Sequence, residues 1–161
     1  MQADRQADRP VSLFSYGMLM WPDVMHALTG QRFESREARL DAHVRLCVAG
    51  ADYPGVVPRR GAATEGRLYD AVDAESLALL DEFEGEMYER VELAVRVVGR
   101  PEATAARAQV YRVCPANRVL ITPITWQPER YERDRLRAAV AGCEEFRAEY
   151  LRESSISRTA P

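Results

Sequence analysis

Apolar and polar positions alternate from Val11 to Tyr16, with Val11 and Leu13 on one side and Phe14 and Tyr16 on the other, which predicts a strand. Gly17 interrupts it. Pro22 opens a short helical pattern through Val24, Met25, Ala27 and Leu28 that Gly30 closes. A second strand is expected over Ala38–Val48, from Leu40, Val44, Leu46 and Val48. The stretch Gly50–Gly61 reads as a turn-rich connection around Tyr53-Pro54-Gly55 and Pro58, with a type II turn at Pro54-Gly55. Gly66–Val72 is expected to be a strand. Asp73–Glu84 is expected to be a helix, with Asp73 as N-cap, Glu75 in the first turn and Gly85 ending it.

Val91–Val98 and Ala106–Val113 are β-rich and can pair antiparallel. From Pro128 to about Glu153 the apolar residues Tyr131, Leu136, Val140, Cys143, Phe146 and Tyr150 recur mostly three or four apart, predicting a terminal helix with one packed face. Asn117–Gln127 reads as a loop. Residues 1–10 and 154–161 are expected to be flexible tails around one domain over residues 11–153. Strands outnumber helices and neighbour one another in sequence, so the expected class is α+β with a largely antiparallel sheet that can close into a barrel.

Composition narrows the chemistry. The 161 residues are 47% hydrophobic and 29% charged, an ordinary globular balance. At this length roughly two-thirds of the unfolded surface can be buried without disulfide staples. No apolar run approaches the roughly 18 residues of a membrane span, and the first ten residues alternate Gln, Asp and Arg, so a cytoplasmic location is expected, with no membrane partner. Net charge is -3, from 22 basic and 25 acidic residues mixed along the chain, which gives no basic stripe for nucleic acid. Every basic residue is arginine. A lysine Schiff base and a P-loop lysine are therefore excluded. Cys47, Cys114 and Cys143 are isolated, as expected of reduced buried thiols, and His26 and His43 have no metal-ligand spacing. No metal and no cofactor are expected.

The segment Asp73–Gly85 is the most informative. At about 100° per residue, Leu77, Leu80 and Glu84 fall within roughly 60° of one another. Leu77 and Leu80 form the apolar stripe, so Glu84 points the same way, whereas Glu82 faces solvent. A carboxylate at an apolar face is costly unless paired, and desolvation raises its pKa towards the range useful for proton transfer. Two readings stay open: Glu84 is such a group, or it forms a structural ion pair with an arginine such as Arg90. Asp81 lies about 60° from Glu84, and periodicity alone does not choose between them. In Ser15–Met20, Gly17 at a strand end can expose consecutive N–H groups suited to a carboxylate or oxyanion, or can merely turn the chain. Tyr88 and Arg90 line a site or a surface hairpin, and Tyr111 is core or pocket. Trp21 and Trp126 read as packing residues, and Cys47 and Cys143 as buried small hydrophobes. A Cys-His nucleophile using His26 or His43 has nothing local to orient it.

Phe14-Ser-Tyr-Gly-Met-Leu-Met20, Tyr53-Pro-Gly55, Glu65-Gly-Arg-Leu-Tyr69, Leu80-Asp-Glu-Phe-Glu-Gly85 and Tyr88-Glu-Arg90 follow one another in that order. This ordered set resembles the γ-glutamylcyclotransferase-like (AIG2-like) family over roughly Val11–Val113, and the terminal helix is similar to the extension of AIG2-type members. The resemblance implies a small mixed, largely antiparallel β-barrel flanked by helices, with a pocket at its mouth. It implies that Glu84 is the catalytic acid/base and that Tyr16, Gly17, Met18 and Leu19 bind the substrate's glutamyl end through backbone groups. Tyr88 and Tyr111 are implied as pocket tyrosines. Met18 stands where the family carries Ser or Thr. A turn that works through N–H groups alone keeps them; a lost hydroxyl hydrogen bond would weaken capture by about 0.5–1.5 kcal/mol.

The expected function is conversion of a γ-glutamyl amine or peptide to 5-oxoproline and the free amine, with a small-molecule γ-glutamyl compound as partner. The alternatives are a binding module that keeps the pocket without chemistry, supported by Met18, and a metal-free amide hydrolase releasing glutamate.

Overall fold

The computed structural model describes residues 9–101 and 105–159. Of the expected tails, residues 1–8 and 160–161 lie outside the described residues. Strands β1 (Val11–Ser15), β2 (Ser35–Val48), β3 (Pro54–Val72), β4 (Tyr88–Val97) and β5 (Ala105–Val113) run in the order β3-β1-β5-β4-β2, and β2 pairs again with β3. That last pairing closes a five-stranded barrel, which leaves none of these strands as a free edge. Only β1–β5 is parallel; the other pairs are antiparallel. The closed α+β barrel expected from the resemblance is therefore present.

Alternation along β1 sets the two cores. Phe14 joins Leu40, Val56, Leu68, Val95 and Val110 in one buried cluster. Leu13, one residue earlier, joins a second cluster with Val24, Leu28, Tyr69, Leu77 and Leu80. This second cluster is where helices α1 (Pro22–Thr29) and α2 (Ala74–Glu84) pack on the barrel wall. Both helices end as their residues dictate. Gly30 takes a left-handed φ of 72° after α1, and the Asp73 side chain caps α2 by accepting from the Ser76 amide.

Several expectations need correction. Pro54-Gly55 is not a turn: both residues lie in β3, paired with Cys47 and Leu46 of β2. The glycine answers a steric demand, because a Cβ there would meet Val113 Cγ2 at 2.2 Å. Pro58 likewise pairs with His43 inside the sheet. Asn117–Gln127 is not one loop, since it holds the end of a 3-10 turn (Pro115–Leu120) and β6 (Ile121–Thr125), which pairs with the far end of β2.

The single terminal helix is two. Helix α3 (Pro128–Asp134) stops at Arg135, whose φ of -129° leaves helical space, and α4 (Leu136–Thr159) follows. Tyr131 of α3 is anchored between Trp21 and Trp126, whereas α4 lies against α1 and puts Cys143 in the core. Ser154–Thr159, expected to fray, is the last stretch of α4. Of the thiols expected to be buried, Cys143 is, while Cys47 and Cys114 are half-buried.

Candidate active site

A cavity of about 270 Å³ opens at one end of the barrel, between the β1–α1 connection and the end of α2. Tyr16, Gly17, Met18 and Leu19 line one side; Glu84, Tyr88 and Tyr111 line it from α2, β4 and β5. All seven candidate residues thus meet at one space.

The β1–α1 connection is built to leave amides free. After Ser15 the chain leaves the sheet, and Met18–Met20 forms a 3-10 turn in which Met20 N–H donates to Gly17 O at 3.0 Å. The N–H groups of Gly17, Met18 and Leu19 precede the first bond of this turn and find no acceptor among the described residues. Gly17 is tight against Pro54, whose Cγ and Cδ would lie 3.2 Å from any added Cβ. The turn's carbonyls are held from behind: the Tyr69 hydroxyl donates to Leu19 O at 2.6 Å, and Arg45 Nη1 to Tyr16 O at 2.9 Å. Met18 packs its side chain against the helix-side core, so the residue that replaces Ser or Thr keeps its amide.

Across the cavity, α2 ends on the stripe described above: Leu77 and Leu80 are buried, and Glu84 follows one turn later. Glu84 is half-buried and lines the cavity. Its carboxyl makes no salt bridge and no hydrogen bond with any described residue. Burial, and secondarily the negative charge of Asp81, push its pKa up from about 4.5 to about 8.

The ion pair weighed for Glu84 belongs to Asp81. Arg90 donates to Asp81 Oδ1 from Nε at 2.7 Å and to Oδ2 from Nη2 at 3.1 Å, and the Tyr111 hydroxyl donates to Oδ1 at 2.8 Å. One carboxylate is fully engaged; its neighbour one turn on is free. Arg90 itself is exposed and occupied by Asp81 and Gln109.

The phenols are fixed donors. Tyr16 donates to the Tyr111 carbonyl, and Tyr88 to the Pro54 carbonyl at 2.6 Å. Burial is the first cause holding the hydroxyls of Tyr16, Tyr88 and Tyr111 protonated well beyond their ordinary range. Phe14, Ser15, Tyr53, Pro54, Phe83 and Met87 complete the wall and were not among the expected site residues. For Pro54, and for Tyr53 just before it, the turn reading hid the strand that begins at Pro54. Phe83 and Met87 flank Glu84 closely enough in sequence that proximity to it was their one available signal. The Cys143 thiol is pushed up to about 12, chiefly by burial, which makes it a poor nucleophile. Among the described residues no group of His, Cys, Asp and Glu comes together that could hold a metal ion, and no helix is long and apolar enough to cross a membrane.

The closed barrel with its flanking helices is shared with solved structures. A protein of Arabidopsis thaliana superposes with a TM-score of 0.63 at 23% identity, covering 94% of both chains. A structure described as a gamma-glutamyl cyclotransferase superposes at 0.57 and 17% identity, over 65% of this chain and 66% of that one. An AIG2-like protein of Mus musculus gives 0.54 and 23%, over 74% and 96%. These define a γ-glutamylcyclotransferase-like fold. Sequence goes further: residues 13–128 match the model of the family "Gamma-glutamyl cyclotransferase, AIG2-like", and the chain belongs to that family. AIG2-like protein D of Arabidopsis thaliana is 32% identical over 84 residues, 52% of this chain and 55% of that protein. AIG2-like protein B is 28% identical over 100 residues, 62% and 57%. The match spans little more than half the length of these relatives.

Proposed function

We propose that the protein is a γ-glutamylcyclotransferase that releases 5-oxoproline from a γ-glutamyl amine, with Glu84 as general acid and base. The observation that carries this reading is the unpaired Glu84 carboxyl, sharing one cavity with three unbonded amides.

The chemistry needs only those groups. The γ-glutamyl compound lies with its reacting carbonyl at the Gly17–Leu19 amides. Ionised Glu84 takes a proton from the substrate's α-ammonium, and the freed amine attacks the γ-carbonyl carbon. A C–N bond forms, the carbonyl π electrons move to oxygen, and the amides stabilise that oxyanion. Glu84 passes its proton to the leaving nitrogen and the original amide bond breaks. Over the cycle two protons move from attacking to leaving nitrogen, so the amine departs as its ammonium and Glu84 ends ionised. Five-membered ring closure is intramolecular, so positioning supplies much of the rate and no protein nucleophile is required. A pKa near 8 suits a group that must both accept from an ammonium and donate to a leaving amine.

The test is mass spectrometry of products from a panel of γ-glutamyl amines, peptides and anilides, with wild type and Glu84→Gln. The expected result is 5-oxoproline from wild type, and from the variant a rate lower by about 10²–10⁴-fold. Glutamate as product would mark a hydrolase. Saturable binding of 5-oxoproline with no product from any substrate would mark a binding module.

A further inference from the structure

The Tyr16–Gly17 peptide has two sides, and a half-buried arginine sits on the one away from the cavity. Arg45 Nη1 donates to Tyr16 O at 2.9 Å and to Glu65 O at 3.1 Å. Its guanidinium carbon lies 5.5 Å from the centroid of the Trp126 ring. Arg45 makes no salt bridge among the described residues, and its Nε is buried without a hydrogen-bond partner. Desolvation is the first cause pulling its pKa down, and the charges of Glu129 and Glu65 offset that only in part, so a half-buried guanidinium is a costly way to tie strands together when neutral side chains can do the same. The cost asks for a second role.

The peptide bond is trans, like every other among the described residues, so the Tyr16 C=O and the Gly17 N–H point in opposite directions. Fixing the carbonyl on Arg45 therefore turns the Gly17 N–H to the other side. Gly17 lines the cavity, and its N–H has no protein acceptor. A charge-assisted bond to the carbonyl oxygen also draws electron density from the amide nitrogen and makes its N–H a stronger donor.

We infer that Arg45 is a positioning residue for this site: through the Tyr16 carbonyl it aims and polarises the Gly17 N–H towards the anion formed in the cavity. This rests on the proposed cyclotransferase reading for its kinetic consequence, though not for its structural one.

The test compares wild type, Arg45→Met and Arg45→Lys in the full chain by kinetics, thermal melting and the amide ¹H–¹⁵N spectrum. For Arg45→Met, kcat and kcat/KM are expected to fall together by about tenfold or more, as for a weakened oxyanion donor. The Gly17 nitrogen resonance should move upfield. Arg45→Lys keeps one charged donor and should recover part of both. A folded Arg45→Met whose Gly17 resonance does not move overturns the inference, whatever its rate. Should wild type itself release no 5-oxoproline, the cyclotransferase reading fails and the Gly17 resonance alone decides: an upfield move supports the role, an unmoved one ends it. Should Arg45→Met fail to fold, Arg45→Lys carries the same comparison at smaller amplitude.

Discussion

Two carboxylates one helical residue-triplet apart have opposite fates. Asp81 is held by Arg90 and Tyr111, and Glu84 by nothing polar. Glu84's direction was legible in the Leu77–Leu80 stripe, because a helical period is a local property. Asp81's engagement was not. It depends on Arg90 and Tyr111 standing opposite each other in β4 and β5, a long-range pairing that periodicity does not encode. The raised pKa has a kinetic sign and a stability sign. In the proposed mechanism proton acceptance requires ionised Glu84, so kcat/KM should rise with pH up to about 8 on its acid limb. Asp81→Asn removes the negative charge that contributes to the shift, so that limb should move to lower pH, which a pH–rate profile reads directly.

For stability, a folded pKa above the unfolded one favours the folded state most at low pH. The contribution is complete below about 4.5 and is lost as pH rises through about 8. Glu84→Gln should therefore melt higher than wild type at pH 9 and lose that advantage at pH 5, by calorimetry, while turnover falls about 10²–10⁴-fold.

At the scale of elements, the barrel closes because β2 and β3 are long, and the sequence announced them as shorter. Pro54-Gly55 carries local turn statistics, but the close approach of Val113 decides its place in β3. Tyr53 and Pro54 thereby reach the cavity, which is why part of its wall was missed. Gly66 makes a second close approach: a Cβ there would meet Ser15 O at 2.2 Å and Phe14 Cζ at 2.7 Å. Since one of these is backbone beside the Tyr16 turn, Gly66→Ala should cost roughly 1–3 kcal/mol or more in a urea titration and slow turnover as well. The helix boundary at Arg135 had no signal in the pattern, because one residue outside helical space leaves the apolar spacing intact.

Across the whole molecule, the site sits where the barrel end meets the helical layer, and α4 braces that layer from outside. Phe146 of α4 meets Phe83 edge-on with ring centroids 5.1 Å apart, and Phe83 lines the cavity beside Glu84. Phe146→Ala should destabilise the fold by about 1–3 kcal/mol and admit water near Glu84. The acid limb of the pH–rate profile should then shift downwards, although Phe146 itself lies outside the cavity lining.

The proposed chemistry depends on Glu84 holding its proton to near physiological pH. The direct measurement is a ¹³C NMR titration of the side-chain carboxyls, with Glu84 assigned by its absence in Glu84→Gln. A midpoint of about 8 is predicted. A midpoint near 4.5, the ordinary value for a solvated glutamate, would contradict it.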